Sequence, residues 1–264
     1  MKIYLVHNII RKNSAIKNIC KAFGFDSSIN EIYSQKKGVL NCINYLETRL
    51  ILLGLELSQL SRGSGGLVAG LKIKLILSEI KDVIIFFLVW KKRKELLVRA
   101  WVVYSISSKH IRAWKKISTD SAPYGLIFED DVVSRDDSAA HLAELLKIVD
   151  QMGFNGYLDL AGGYEVTELF NEVKVLHQLR GGSKLISPHP PRSNTACGYL
   201  LSREMAKSFI SVLVRNKKIR FMPIDFIMNY CLSVTVGPKY QCLHVYPSVL
   251  QHGSFLGLYK TWDA

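Results

Sequence analysis

Apolar positions along the chain recur at helical spacing in some stretches and in short unbroken runs in others, and the two kinds alternate. Lys2 to Ile10 reads as a strand and Ser14 to Phe23 as a helix stopped by Gly24, a β-α opening. Val39 to Leu60 carries a helical pattern and ends at the break Arg62-Gly63-Ser64-Gly65-Gly66. Leu67 to Trp90 is apolar but interrupted by Lys72, Lys74, Glu79, Lys81 and Asp82, and it closes on Lys91-Lys92-Arg93-Lys94. Its uninterrupted part, Val83 to Trp90, falls well short of the ~20 residues a membrane-spanning helix needs. It reads as a buried strand or helix, the alternative being an interfacial element whose basic tail meets anionic headgroups.

From Ser105 the spacing predicts a helix with Ser107 or Ser108 as cap and Ile111, Trp114 and Ile117 on one face. Past Pro123 comes an apolar strand, then a helix over His141 to Met152, then a short buried strand at Tyr157-Leu158-Asp159-Leu160 before Gly162-Gly163. Alternating strands and helices predict an α/β fold, a mainly parallel central sheet flanked by helices on both faces. Ligands in such folds bind beyond the carboxyl ends of the strands.

Composition narrows this picture. With 264 residues, 48% of them hydrophobic, the chain can bury a substantial core, and we read it as a single domain in which residues 38–104 form an atypical apolar and basic segment. Cys20, Cys42, Cys197, Cys231 and Cys242 are odd in number and lack CxxC spacing, which fits a reducing compartment better than a disulfide framework or zinc ribbon. The amino terminus, broken by His7 and Asn8, reads as a strand and not as an export signal, so the expected location is cytoplasmic. Residues 1–125 hold 21 Lys+Arg against 8 Asp+Glu, whereas residues 126–264 hold 14 of each. The basic excess points to a polyanionic partner: a phosphorylated substrate or the anionic inner membrane surface. Nucleic acid is not expected, since no helix-turn-helix, RNA-binding or zinc module is recognisable.

The chemistry concentrates in Gly125-Leu126-Ile127-Phe128-Glu129-Asp130-Asp131-Val132-Val133, an apolar strand that delivers three carboxylates. Strand alternation would place Glu129 and Asp131 on one face and Asp130 on the other. Paired carboxylates make a hard-oxygen site for Mg²⁺ or Mn²⁺, which completes its shell with water and substrate phosphates. The competing reading is a solvated turn whose acids cap the next helix with Asp136, Asp137 and Ser138.

Three further segments accompany this DxD-like run: Ser107-Ser108-Lys109-His110-Ile111-Arg112-Ala113-Trp114 before it, then Asn194-Thr195-Ala196-Cys197-Gly198-Tyr199-Leu200-Leu201-Ser202-Arg203, then Pro223-Ile224-Asp225. In order and spacing the four resemble family 25 glycosyltransferases, which include bacterial lipooligosaccharide galactosyltransferases and the collagen galactosyltransferases; the resemblance covers roughly residues 105 to 255. The chain departs from the family at Ser14 and Ala15, where an Asp-Arg pair usually stands, and at Lys109, which separates the Ser-His pair.

The resemblance implies a GT-A-like nucleotide-sugar transferase, dependent on Mn²⁺ or Mg²⁺, that moves galactose from UDP-galactose onto a glycan or glycolipid acceptor, with inversion. It implies Asp131 as metal ligand, Glu129 at metal-bound water or the ribose, Asp130 pointing into the fold, and His252 completing the metal shell, with His244 a weaker candidate. Asp225 is implied as the catalytic base, and a first-turn helix cap is the competing role. Thr195, Gly198 and Tyr199 are expected where backbone approaches the sugar or diphosphate, against an ordinary tight turn. His110 and Arg112 are expected to meet donor phosphates from a helix start, against a solvated helix end. Gly181-Gly182 and Pro188 to Arg192 are expected to form a loop that orders over the donor. Two other functions remain open at this level: a noncatalytic glycan-binding or assembly protein, and a metal-dependent phosphohydrolase.

Overall fold

The computed structural model describes residues 1–6, 29–32, 77, 80–81, 90–135 and 137–258. Its strands are β1 (Lys2–Val6), β2 (Ile29–Ile32), β3 (Tyr124–Glu129), β4 (Val132–Ser134), β5 (Gly156–Asp159), β6 (Glu172–Gln178), β7 (Lys184–His189), β8 (Gly198–Ser202), β9 (Gln241–Tyr246) and β10 (Leu250–His252). The helices are α1 (Trp90–Thr119), α2 (Ser138–Gln151), the single turn α3 (Val166–Leu169), α4 (Arg203–Arg215) and α5 (Ile224–Thr235).

Strand side chains sort by parity into two cores. Tyr4, Val6, Ile127, Tyr157, Tyr199 and Leu201 pack with Trp114 of α1, Phe209 of α4 and Ile227 of α5. Their neighbours Ile3, Leu5, Leu126, Phe128, Leu158 and Leu200 pack on the other face with Leu142, Leu145 and Val149 of α2. A sheet covered on both faces needs apolar residues at successive positions, which is why these strands read as unbroken apolar runs.

Eight strands form one sheet in the order β2-β1-β3-β8-β5-β9-β7-β6, and β10 pairs with β4 in a separate ribbon. The α/β, GT-A-like class is as expected, but the sheet is mixed and not mainly parallel. β1–β2, β1–β3 and β5–β9 pair parallel, while β3–β8, β5–β8, β7–β9 and β6–β7 pair antiparallel. The reversal has a functional consequence. Because β8 runs against β3 and β5, its first residues lie where those strands end: Gly198 opposite Phe128, and Tyr199 opposite Asp159.

Other elements also depart from expectation. The helix expected from Ser105 begins at Trp90, so Ser107 and Ser108 lie inside it; Ile111, Trp114 and Ile117 are nonetheless all buried. The expected loop over the donor is mostly ordered structure. Gly181 and Gly182 take positive φ (66° and 80°) in a turn, and Pro188 and His189 belong to β7, hydrogen-bonded between β6 and β9. The readings at Ser14 to Gly24, including the Ser14-Ala15 departure, and at Val39 to Gly66 lie outside the described residues, as do Cys20, Cys42 and Leu67 to Val89 apart from Leu77, Ile80 and Lys81. No helix among the described residues is long and apolar enough to cross a membrane.

Candidate active site

The acids stand at the carboxyl end of β3. Glu129 is its last residue, and a turn at Asp130 and Asp131 ends the alternation, so the two expected partners face different groups. Glu129 keeps the parity of Ile127 and turns toward α1, where its Oε1 lies 2.8 Å from His110 Nε2. His110 Nδ1 lies 2.9 Å from the Tyr199 hydroxyl, which accepts from Trp114 Nε1 at 2.8 Å. Every link in this chain is satisfied when neutral His110 carries its proton on Nε2: Trp114 donates to Tyr199, Tyr199 to His110, and His110 to Glu129. Burial alone would raise the Glu129 carboxyl, but the hydrogen bond from His110, with the nearby His252 and Lys109, outweighs it and holds the carboxyl below its ordinary value.

Asp131 is drawn the other way, by the ribbon. In the pairing of β10 with β4, His252 sits opposite Val132, and the Gly253 N–H donates to the Asp131 carbonyl at 2.8 Å. Ser254 Oγ donates to Asp131 Oδ2 at 2.7 Å, and Cys197 Sγ lies 3.5 Å from Oδ1. His252 Nδ1 lies 3.2 Å from Asp131 Oδ2, yet this buried nitrogen makes no hydrogen bond. A buried ring nitrogen without a hydrogen bond, facing a carboxylate, is the arrangement a shared cation would resolve. The ligand atoms of Asp131, Cys197 and His252 all lie within 4.8 Å of one another. The residues therefore fit a divalent ion, with Asp131 and His252 in the expected roles as ligand candidates. Cys197 takes the place in the trio that was expected of Glu129.

Asp225 is exposed and enters from the first turn of α5, with the N–H of Ala196 and its own N–H donating to its carboxylate. It is not the N-cap, which is Pro223. Desolvation by the surrounding protein, then the negative fields of Glu129 and Asp159, push its carboxyl up to about 7. Water reaching the exposed side chain screens part of that push. Asp159, at the end of β5, is buried and accepts from the Tyr157 hydroxyl (2.7 Å) and the Asn194 N–H (2.9 Å). Asn194 in turn anchors the glycine loop, its Oδ1 accepting from the N–H groups of Gly163 and Tyr164.

The remaining expected residues are more deeply built in than sequence spacing implies. Thr195 is buried, its hydroxyl donating to the Ala161 carbonyl at 2.5 Å. Gly198 is glycine for packing and not for ligand approach, since a Cβ there would lie 3.1 Å from Ala161 Cβ and 3.3 Å from Phe128 Cδ1. Tyr199 is fully buried, its hydroxyl committed to Trp114 and His110, so it acts on the site only through His110. His110 and Arg112 lie within α1 and not at its start; His110 has both nitrogens engaged, and Arg112 Nε donates to the Ser108 carbonyl. Asp130, expected to point into the fold, is half-buried on the turn because the strand ends before it. His244 is enclosed, its Nε2 2.7 Å from the Arg192 carbonyl, and burial lowers its pKa; it takes no part in the trio of ligand atoms.

Sequence reasoning did not single out Cys197, Ser254, Asp159 or Lys109 for a role. The signal at Lys109 and Asp159 was a charge on an otherwise apolar face. Lys109 is 2% exposed, and burial lowers its pKa against the opposing pull of Asp130 and Glu129. A cavity of about 180 Å³ lined by Pro123, Tyr124, Asn155, Ser202 and Arg203 lies at the other end of β3 and β8, away from these acids.

A mixed α/β sheet with acids at its strand ends and a returning antiparallel strand beside them is of the GT-A-like class. Residues 107–228 match the model of the family described as glycosyltransferase family 25 (LPS biosynthesis protein), so this stretch is similar to that family. The matched stretch holds His110, the acidic run, Thr195 to Tyr199 and Asp225, while His252 lies beyond it. No curated protein matches the chain.

Proposed function

We propose that the protein is a metal-dependent, inverting glycosyltransferase that moves galactose from UDP-galactose onto a bacterial surface glycan such as lipooligosaccharide. The observation that carries this reading is the convergence of Asp225 and the Asp131–His252 pair on Ala196 and Cys197, the two residues that lead into β8. As base, the Asp225 carboxylate takes the acceptor hydroxyl proton as the oxygen attacks the anomeric carbon. A divalent ion, when bound, supplies charge stabilisation at the leaving diphosphate. Asp131 and His252 hold that ion, Ser254 orients Asp131, and Glu129, fixed by His110, faces the ribose or metal-bound water. The Ala196 N–H aims Asp225. The basic first half of the sequence supports a phosphate-rich acceptor or peripheral contact with the anionic inner face of the membrane, on the cytoplasmic side.

In a thermal-shift experiment, UDP is expected to stabilise the protein in the presence of Mn²⁺ and to do little without it, because an ion held by Asp131 and His252 would supply the positive charge that a diphosphate binds. Absence of any UDP effect would remove the nucleotide-sugar reading and leave a noncatalytic glycan-binding or assembly role.

A further inference from the structure

Asp131, Cys197 and His252 come from three separate elements: the turn after β3, the approach to β8 and the end of β10. We infer that Cys197 is a thiolate ligand of the metal centre, making it a carboxylate–thiolate–imidazole site that takes a borderline ion of the zinc and cobalt kind ahead of Mg²⁺ or Mn²⁺. This inference rests on the metal-dependent reading above and narrows it.

The distances carry the argument. Ligand bonds of about 2.3 Å to sulfur, 2.0–2.1 Å to nitrogen and 2.0–2.2 Å to oxygen, set tetrahedrally, separate nitrogen from oxygen by roughly 3.3 Å and sulfur from oxygen by roughly 3.5 Å. Here His252 Nδ1 stands 3.2 Å from Asp131 Oδ2 and Cys197 Sγ 3.5 Å from the other oxygen of the same carboxylate, Oδ1, so the imidazole and the thiol face one carboxylate from its two oxygens, with one ligand atom of each residue within 4.8 Å of the others. Three protein ligands leave a fourth position open, as catalytic zinc sites do. The unsatisfied His252 nitrogen gives the same indication. Donor chemistry then selects the ion: thiolate is soft, Mg²⁺ prefers an all-oxygen octahedron, and affinity for a given N/O/S site rises from Mn²⁺ through Co²⁺ and remains higher for Zn²⁺. Burial, then the fields of Asp131 and Glu129, push the Cys197 thiol well above its ordinary value, so the thiolate forms only as an ion binds, and the proton displaced then passes to solvent. Cys231 and Cys242 are also free and buried but belong to no such trio among the described residues.

The test is titration of the purified full chain with Co²⁺ alone, read by absorbance. The expected result is a sulfur-to-cobalt charge-transfer band in the near ultraviolet together with strong visible bands of a four-coordinate ion, both displaced by Zn²⁺ and resistant to a large excess of Mg²⁺. Cys197→Ser is expected to lose the charge-transfer band and to bind Co²⁺ at least about tenfold more weakly, since even outer-shell losses cost that much. His252→Ala keeps the thiol and is expected to lose the four-coordinate visible bands, which makes the test independent of how Cys197→Ser folds. No charge-transfer band in the parent protein, a band that persists in folded Cys197→Ser, or unchanged visible bands in His252→Ala would each overturn the assignment. UDP protection with Mn²⁺ but no sulfur band would remove the thiolate and leave the transferase standing. A sulfur band without UDP protection would do the reverse.

Discussion

The Tyr199 hydroxyl lies between two buried nitrogens, Trp114 Nε1 and His110 Nδ1, and nothing else in that chain can replace it. Tyr199→Phe conserves the ring and leaves both unpaired, at a cost of roughly 1–3 kcal/mol. Chemical denaturation should show the loss with an unchanged slope. Asp225→Asn should do something different. Turnover should fall by ~10²–10⁴-fold with a smaller change in KM, because the lost group acts in the transition state. In the parent enzyme the rate should rise with pH through about 7 as the carboxyl ionises. The stability consequence has the opposite sign. A carboxyl raised from 3.8 to about 7 on folding contributes stability that is complete below the unfolded value and lost as pH rises through the folded one. Asp225→Asn should therefore raise Tm at pH 8 more than at pH 4. Asp131, His252 and Asp225 were all readable from sequence as candidates, because each is a chemically loaded residue in a recognisable order. The partners were not. Cys197 and Ser254 reach Asp131 from 66 and 123 residues away, and no local pattern encodes such a contact. Glu129 does not share a face with Asp131, for a definite reason: alternation is a property of strands, and the strand stops at Glu129.

Among the elements, β8 organises the site. It enters the sheet between β3 and β5 at its glycine, where Gly198 lies against Ala161 and Phe128. Gly198→Ala forces these neighbours to give by a few tenths of an ångström, and overpacking of this kind costs typically about 1–3 kcal/mol. The same displacement shifts Cys197 and Ala196 and with them the contacts to Asp131 and Asp225, so activity should fall further than stability. Comparing Tm with UDP release for this variant checks the pairing of effects. Helical and strand periods predicted the buried faces of α1 and α2 and the strands β3 and β5 well, since those faces are what periodicity reports. Strand direction is a different matter. An apolar run reads the same whichever way it enters a sheet, so the antiparallel course of β8 and β7 was not legible, nor was a helix reaching back to Trp90.

At the scale of the whole molecule, a two-sided core holds the carboxyl ends of β3 and β5 and the amino end of β8 in one place. α5 and the β4–β10 ribbon then bring Asp225 and His252 to it, both from the part of the sequence that follows β8. The charge asymmetry, 21 Lys+Arg against 8 Asp+Glu in residues 1–125, is legible in composition because charge counts need no fold. The family match begins at residue 107, where the four motifs begin, which is why the second half was the more legible. The central claim is sugar transfer at the Asp131–His252–Asp225 centre. The measurement that tests it most directly is UDP release from UDP-galactose, beside a small panel of other UDP-sugars, by the full chain with divalent ion and a glycan acceptor. Release is expected to require the ion, to be greatest with UDP-galactose, and to be lost in both Asp131→Asn and Asp225→Asn. Release from no UDP-sugar, or undiminished release by Asp131→Asn, would contradict it.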